Sequence, residues 1–204
     1  MTKPKIRPAY PNEFVPDDYF KRLQSKELFD NDAPLEVDLG AGDGSYTLAL
    51  AEHYPERNFL AVERLLGRVS KICRRAKARG LENLKVLRLE SAYTAEWLLP
   101  RNSVSRLHII CPDPWPKAKH HRRRLIQQEF LETVHRLLVP DGIFLFKTDD
   151  DDYAEWSQEE VAAYPNLVPT EFPVGQFDPK SDFQLQWEAE GKSLKVIHCR
   201  NVPG

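Results

Sequence analysis

The chain has 204 residues, 41% hydrophobic and 29% charged, and a net charge of −2 at pH 7. That length suits one domain with a sizeable core, and the near-neutral total makes nucleic-acid binding a matter of local clusters. No apolar run approaches the roughly 18 residues of a membrane span, the N-terminus lacks the apolar stretch of a secretory signal, and Cys73, Cys111 and Cys199, odd in number and without CxxC spacing, argue against a disulfide framework or zinc site and for a reducing, cytoplasmic compartment.

Residues 1–33 are rich in proline and charge and read as an N-terminal arm, with one short helix near Tyr19 to Leu28. A regular alternation occupies residues 34–204. Leu35 to Leu39 is a strand, Gly40-Ala41-Gly42-Asp43-Gly44 a turn, and Ser45 to Tyr54 a helix. Phe59 to Val62 is a second strand, and Leu65 to Arg79 a helix stopped by Gly80. Strands follow at Leu84–Leu89, Val104–Ile110 and Ile143–Lys147, with helices at Leu125–Leu138 and Tyr153–Ala163 and a late strand over Leu194–Cys199. Strands alternating with helices imply right-handed βαβ units in an α/β, doubly wound, mostly parallel sheet.

Gly40-x-Gly42-x-Gly44 follows a strand and opens a helix, so bare backbone can approach a ligand. The spacing differs from the G-x-G-x-x-G of dinucleotide sites, and no Lys-Ser/Thr follows to make a phosphate-binding loop. Glu63 ends the second strand, 19 residues after Gly44, where a carboxylate can accept both hydroxyls of a ribose. With Glu36, Asp38 and Asp43 nearby, the set favours S-adenosylmethionine, whose sulfonium and ammonium are cationic. A nicotinamide dehydrogenase is disfavoured by the glycine spacing and by the lack of a Tyr-x-x-x-Lys pattern.

The segment Cys111-Pro112-Asp113-Pro114-Trp115-Pro116 is a stiff loop, because proline fixes φ and removes donors. It holds a lone carboxylate at the C-terminal end of a strand, where open α/β sheets place their ligands. Lys117 to Arg124 then carries five formal positive charges and two histidines in eight residues. A solvated basic stretch would look the same; its position beside Asp113 favours contact with phosphates. Arg64, Arg68, Lys71 and Arg75 are spaced for one helix face and form a second basic candidate. His120 and His121 lack a ligand constellation, so no metal is expected.

These motifs resemble those of the bacterial-type tRNA (guanine-N7-)-methyltransferases, class I S-adenosylmethionine-dependent enzymes, over roughly residues 30–200. The family's L-E-I-G-x-G, G-I-E, P-D-P-W-x-K with H-x-x-R-R, T-D-x-x-x-Y-A and T-x-F/Y-E blocks are matched by Leu35 to Gly40, Ala61 to Glu63, Pro112 to Lys117 with His121, Arg123 and Arg124, Thr148-Asp149 with Tyr153-Ala154, and Ser181 to Gln184 before Gly191-Lys192. The proline-aspartate-proline-tryptophan block is the specific one. The resemblance implies a Rossmann-like seven-stranded sheet and methyl transfer to N7 of a variable-loop guanine in tRNA. It implies that Glu36, Glu63 and Ser91, with Gly40 and Gly42, line the cofactor pocket. Asp113 would be catalytic, also touching the cofactor. Lys117, Asp149, Ser181, Asp182, Phe183 and Gln184 would meet the guanosine, and Lys119, Arg122, Arg123 and Arg124 the tRNA backbone. Three positions depart from the family: Asp38 replaces a glycine, Ser91 an aspartate and Gln184 a glutamate. Ser91 and Gln184 motivate one rival reading on the same fold, a non-catalytic RNA-binding relative; a second rival, a methyltransferase acting on another RNA or a small molecule, is opposed by the basic tail of the proline-aspartate-proline-tryptophan block. A monomer or a homodimer would serve, with no obligate protein partner.

Asp150 to Asp152 suit the N-terminus of the following helix. Asp149, at a strand end, could grip the N1–H and N2–H₂ edge of guanine. Trp115 could stack on a flipped base or pack beneath its loop.

Overall fold

A computed structural model describes residues 10–203; the first nine residues of the expected arm lie outside the described residues. Eight strands form one sheet: β1 (Glu13–Phe14), β2 (Leu35–Leu39), β3 (Asn58–Val62), β4 (Leu84–Leu87), β5 (Val104–Ile110), β6 (Leu138–Thr148), β7 (Leu167–Pro169) and β8 (Lys195–Asn201). Their order is β1-β4-β3-β2-β5-β6-β8-β7. All neighbours are parallel except β6 with β8 and β8 with β7. Seven of these strands make the expected sheet. The eighth corrects that count: β1 is two residues at the edge of β4, too short to show a period. Asn12 seats it there, accepting from the Val86 N–H at 2.7 Å and donating from Nδ2 to Leu81 O and Leu84 O.

β2 and β3 are buried along their whole length, as strands covered on both faces must be. Helices α2 (Ser45–His53) and α3 (Leu66–Ala78) cover one face through Leu48, Leu50, Val69 and Ile72. On the other face lie α1 (Ser25–Leu28), α5 (Gln128–Leu137) and α6 (Asp151–Ala162), through Leu28, Phe130, Leu131, Val134 and Tyr153. A short turn, α4 (Ser91–Tyr93), runs into a π-helical turn at Thr94–Leu98, and α7 (Asp182–Ala189) precedes β8. α5 starts three residues later than its apolar pattern suggests. The N–H groups of Leu125 and Ile126 donate instead to Tyr153 Oη, at 3.0 and 3.2 Å.

The order reverses between β2 and β5, so their C-terminal ends diverge into a crevice. Side chains alternate along β2: Val37 and Leu39 enter the core of the α5 face, while Glu36 and Asp38 point beneath α2. His108 on β5 and Lys147 on β6 are buried on that same side.

Candidate active site

A cleft of ≈ 330 Å³ opens at this crevice. Its walls are the turn after β2, the loop after β5, Asp149 at the end of β6, and Ser181 and Trp187 of the α7 segment. Four aspartates line it, Asp38, Asp43, Asp113 and Asp149, against one cation, Arg68.

The turn has its three glycines at φ 84°, 60° and 80°. A Cβ on Gly44 would fall 2.6 Å from Ile72 Cγ1, so this position admits no side chain. Glu63 meets the turn directly: its Oε2 accepts from the Gly42 N–H at 3.1 Å, and its Oε1 from the Leu65 N–H at 2.8 Å. Arg68 lies 3.6 Å from the same carboxylate. A Cβ on Gly40 would lie 3.9 Å from Ser91 Oγ. Gly40 and Gly42 therefore line the cleft, while Glu63 and Ser91 flank the turn without lining it.

Glu36 is held elsewhere. It is fully buried, with His108 Nε2 at 2.8 Å from Oε2 and Arg57 donating to Oε1 at 2.6 Å. Burial pushes its carboxyl up, but those partners and the nearby Arg106 outweigh burial and hold it at about 2. The carboxylate that reaches the cleft is Asp38, two residues on. Only 2% of it is exposed; Oδ2 accepts from Thr47 Oγ1, and Oδ1 is buried without a partner. Burial raises its pKa against the Thr47 hydrogen bond. An unsatisfied buried acceptor facing a cleft is a site for a donor, best a cationic one. An S-adenosylmethionine ammonium has that chemistry, so the residues present fit this cofactor.

The loop after β5 is bent sharply, with Cys111 at φ 51° and Trp115 at φ 48° on either side of Asp113. Such conformations cost non-glycine residues about 1–2 kcal/mol each and persist only where surroundings hold them. The Cys111 N–H donates to Lys147 O at 2.8 Å. Arg124 does the rest. It is 2% exposed, donates from Nε to Pro114 O at 2.9 Å, pairs with Asp152, and lies over the rings of Tyr153 and Trp156 at 5.0 and 5.5 Å. This corrects its expected place in the tRNA-facing cluster: a buried, paired guanidinium has no phosphate to give itself to. Lys117, Lys119, Arg122 and Arg123 remain exposed on the 3₁₀ segment and its approach. Asp113 is exposed at the cleft. Burial, then the Asp149 carboxylate, pushes the Cys111 thiol beside it up to about 12, so it stays protonated. Trp115 does not line the cleft; it packs against Arg123, 4.9 Å from its ring centroid, and edge-on to His120.

Of the aspartate run, Asp149 lines the cleft, while Asp150 caps α6 by accepting from the Tyr153 N–H at 2.7 Å. Asp151 pairs with Lys195 at 3.0 Å. Ser181 is the N-cap of α7, accepting from the Gln184 N–H at 3.1 Å. The Asp182 N–H donates to Ser45 Oγ at 2.9 Å. Asp43 is held well below the usual carboxylate range: burial opposes this, and a hydrogen bond with Asp182, Lys71 and Ser45 prevail. Two members of the second basic candidate are thereby spent, since Lys71 and Arg75 reach Asp43 at 3.0 and 2.9 Å. Gln184 donates to Glu188 Oε1 at 2.9 Å and keeps a buried Oε1 without a partner. Phe183 is on α7, and its side chain lies outside the described residues. Among the described residues, no group of three His, Cys, Asp or Glu side chains could hold a metal ion.

Beneath the cleft, Lys147 donates to both carboxylate oxygens of Asp178, at 2.5 and 2.6 Å, and Tyr46 Oη reaches Asp178 at 3.3 Å. This pins the segment before α7 to the sheet. Sequence reasoning missed this anchor, as it missed Trp187; for Asp38 the available signal was its position two residues before the first glycine.

The fold and the cleft define a methyltransferase of the α/β class. A family profile described as "Putative methyltransferase" matches residues 32–195. A tRNA (guanine-N(7)-)-methyltransferase of Syntrophotalea carbinolica is 34% identical over 180 residues, covering 86% of this chain and 78% of its own. One from Leifsonia xyli subsp. xyli is 37% identical over 187 residues, covering 89% and 82%. The chain belongs to the tRNA (guanine-N(7)-)-methyltransferase family. Among solved structures, the 16S rRNA methyltransferase KamB aligns over 90% of this chain and 98% of its own, at TM-score 0.64 and 20% identity. Geranyl diphosphate C-methyltransferase from Streptomyces coelicolor A3(2) aligns over 87% and 75%, at TM-score 0.58 and 11% identity. At these identities the likeness is one of fold; an RNA and a small molecule are both served by it.

Proposed function

We propose that the protein transfers a methyl group from S-adenosylmethionine to N7 of a variable-loop guanine in tRNA, in the cytosol. The observation that carries this reading is one cleft with the orphaned Asp38 Oδ1 inside, Asp113 and Asp149 on its walls, and exposed Lys117, Lys119, Arg122 and Arg123 beside the Asp113 loop. The cofactor, when bound, supplies an electrophilic methyl on a sulfonium. Asp38 is the acceptor for its ammonium, Glu63 for its ribose hydroxyls, and the glycine turn admits close backbone contact with Ser91 at its flank.

Guanine N7 has an in-plane lone pair and is unprotonated at neutral pH, so no general base is required. What the chain must supply is placement, which is proximity catalysis. Asp149 accepts from the N1–H and N2–H₂ edge, and the α7 segment from Ser181 to Gln184 closes over the base. As N7 forms its bond, the base becomes cationic; Asp113, fixed between two prolines, stabilises that charge by preorganised electrostatics. The basic residues hold phosphates and set register rather than sequence.

The test is to incubate the protein with undermodified tRNA and labelled S-adenosylmethionine, then cleave the RNA chemically at 7-methylguanosine. Scission at one variable-loop position is expected. Cofactor binding without any label in tRNA would sink the reading.

A further inference from the structure

We propose that Lys147 is a positioning residue for the tRNA substrate: its ammonium, acting through Asp178, sets where the α7 wall of the cleft stands against the Asp113 and Asp149 walls. The proposal rests on the methyl-transfer reading above and adds to it the group that aligns the two sides of the site.

Residues 170–181 run from β7 to α7 as neither helix nor strand, so side-chain anchors set their course. Thr170 Oγ1 meets His198 Nδ1 of β8 at 2.8 Å, and Phe177 stacks on His53 of α2 with ring centroids 4.0 Å apart. The anchor nearest α7 is Asp178, three residues before Ser181, which lines the cleft and caps the helix. Lys147 Nζ donates to both oxygens of its carboxylate, at 2.5 and 2.6 Å, and Tyr46 Oη donates to it at 3.3 Å. A ring stack tolerates sliding. Charge-assisted bonds to both oxygens of one carboxylate are short and directional, and they fix a distance.

Lys147 also holds the opposite side. Its carbonyl accepts from the Cys111 N–H at 2.8 Å at the start of the Asp113 loop, and Asp149 follows two residues on, at the end of the same strand. One residue thus ties Asp113, Asp149 and the α7 wall to a single point of the sheet. It is 1% exposed, at the end of the apolar run Phe144-Leu145-Phe146. A buried ion pair there stabilises no more than an apolar pair of the same volume, and the best-attested use of such a pair is to fix register. Register matters to this reaction, because it depends on placing N7 in line with the methyl, and a shift of about 1 Å costs about 100-fold in rate. The cofactor side is held by other contacts, from Thr47 to Asp38 and from Gly42 to Glu63. Loss of the Lys147 anchor therefore falls on the tRNA and spares the cofactor.

The experiment compares wild type, Lys147→Met, Asp178→Asn and the double variant in kcat/KM for tRNA, affinity for S-adenosylhomocysteine and thermal melt. Each single variant is expected to lower kcat/KM for tRNA about tenfold or more, with S-adenosylhomocysteine affinity within about twofold of wild type. The double variant should be no worse than the worse single one, because the two residues act through one contact. With wild type active, unchanged kcat/KM in both single variants, losses that multiply in the double variant, or equal losses for tRNA and S-adenosylhomocysteine overturn the positioning role alone. If Lys147→Met melts too early to assay, Asp178→Asn decides, since the Asp178 side chain is 31% exposed. A reduced kcat/KM for tRNA with cofactor affinity intact then supports the proposal, and the wild-type value overturns it. Wild type that leaves tRNA unmethylated overturns both this proposal and the function on which it rests.

Discussion

The backbone N–H of Asp182 donates to Ser45 Oγ at 2.9 Å, and the same hydroxyl donates to Asp43 Oδ1 at 2.8 Å. One serine thus links the glycine turn after β2 to the start of α7, two walls of the cleft. Removing a hydrogen bond of this kind costs about 1 kcal/mol. Ser45→Ala should therefore raise KM for tRNA about fivefold, with global stability lowered by no more than about 1 kcal/mol. Steady-state kinetics and urea unfolding would check this; an unchanged KM would show that α7 is positioned without the link.

Asp38 is a buried carboxylate with one empty oxygen, an arrangement that disfavours the ligand-free fold and favours a cationic ligand. Asp38→Asn should keep or raise the melting temperature of the free protein. Loss of a buried charge partner should weaken S-adenosylmethionine binding about 30-fold or more. Calorimetric titration beside a thermal melt distinguishes this from general damage, and unaltered affinity would remove Asp38 from the site.

Asp113 is exposed, at the cleft, and free of the buried network under the sheet. Asp113→Ala should lower kcat by about 100-fold or more, as loss of a preorganised charge partner does. S-adenosylhomocysteine affinity should change by no more than a few-fold. Turnover at the wild-type rate would refute the catalytic assignment.

The basic tail is divided by burial: Arg124 is enclosed and paired, while Arg122 and Arg123 are exposed. Arg124→Ala removes the support of the Pro114 carbonyl and should lower the melting temperature by about 4 °C or more. Arg122→Ala with Arg123→Ala removes only the exposed Arg123–Trp115 contact from the fold, so it should shift the melt less than Arg124→Ala and reduce the slope of log K against log salt for tRNA by about 1.5. Equal effects of the two variants on both measurements would contradict the division.

Glu36 links folding to acidity. Its folded pKa of about 2 lies below its ordinary 4.5, so it stabilises the fold fully above 4.5, and the contribution is lost as pH falls through 2. At roughly 1.4 kcal/mol per pKa unit, the contribution is about 3 kcal/mol. Glu36→Gln should be less stable at pH 7 and should lose less stability on acidification than wild type. Parallel urea midpoints from pH 7 to pH 2 would test it, and identical pH slopes would refute it.

The alternation of strands and helices, the glycine turn, Glu63 at a strand end and the carboxylate between two prolines were all legible in the sequence. They are local: turn chemistry, proline geometry and hydrophobic period act within a few residues. Only the tertiary structure decided which neighbouring residue does what. Glu36 and Asp38 share one side of β2, so period two cannot rank them. Arg57 and His108 claim the first, while Thr47 of α2 takes one oxygen of the second and leaves the other without a partner at the cleft lining. Arg122, Arg123 and Arg124 are equivalent as letters, yet Asp152 and two aromatic rings of α6 bury the last. β1 exists because β4 offers an edge, and Trp187 reaches the cleft because Ser45 and Lys147 hold the chain around it. In each case the deciding partner is distant in sequence, and no local pattern encodes a contact of that range.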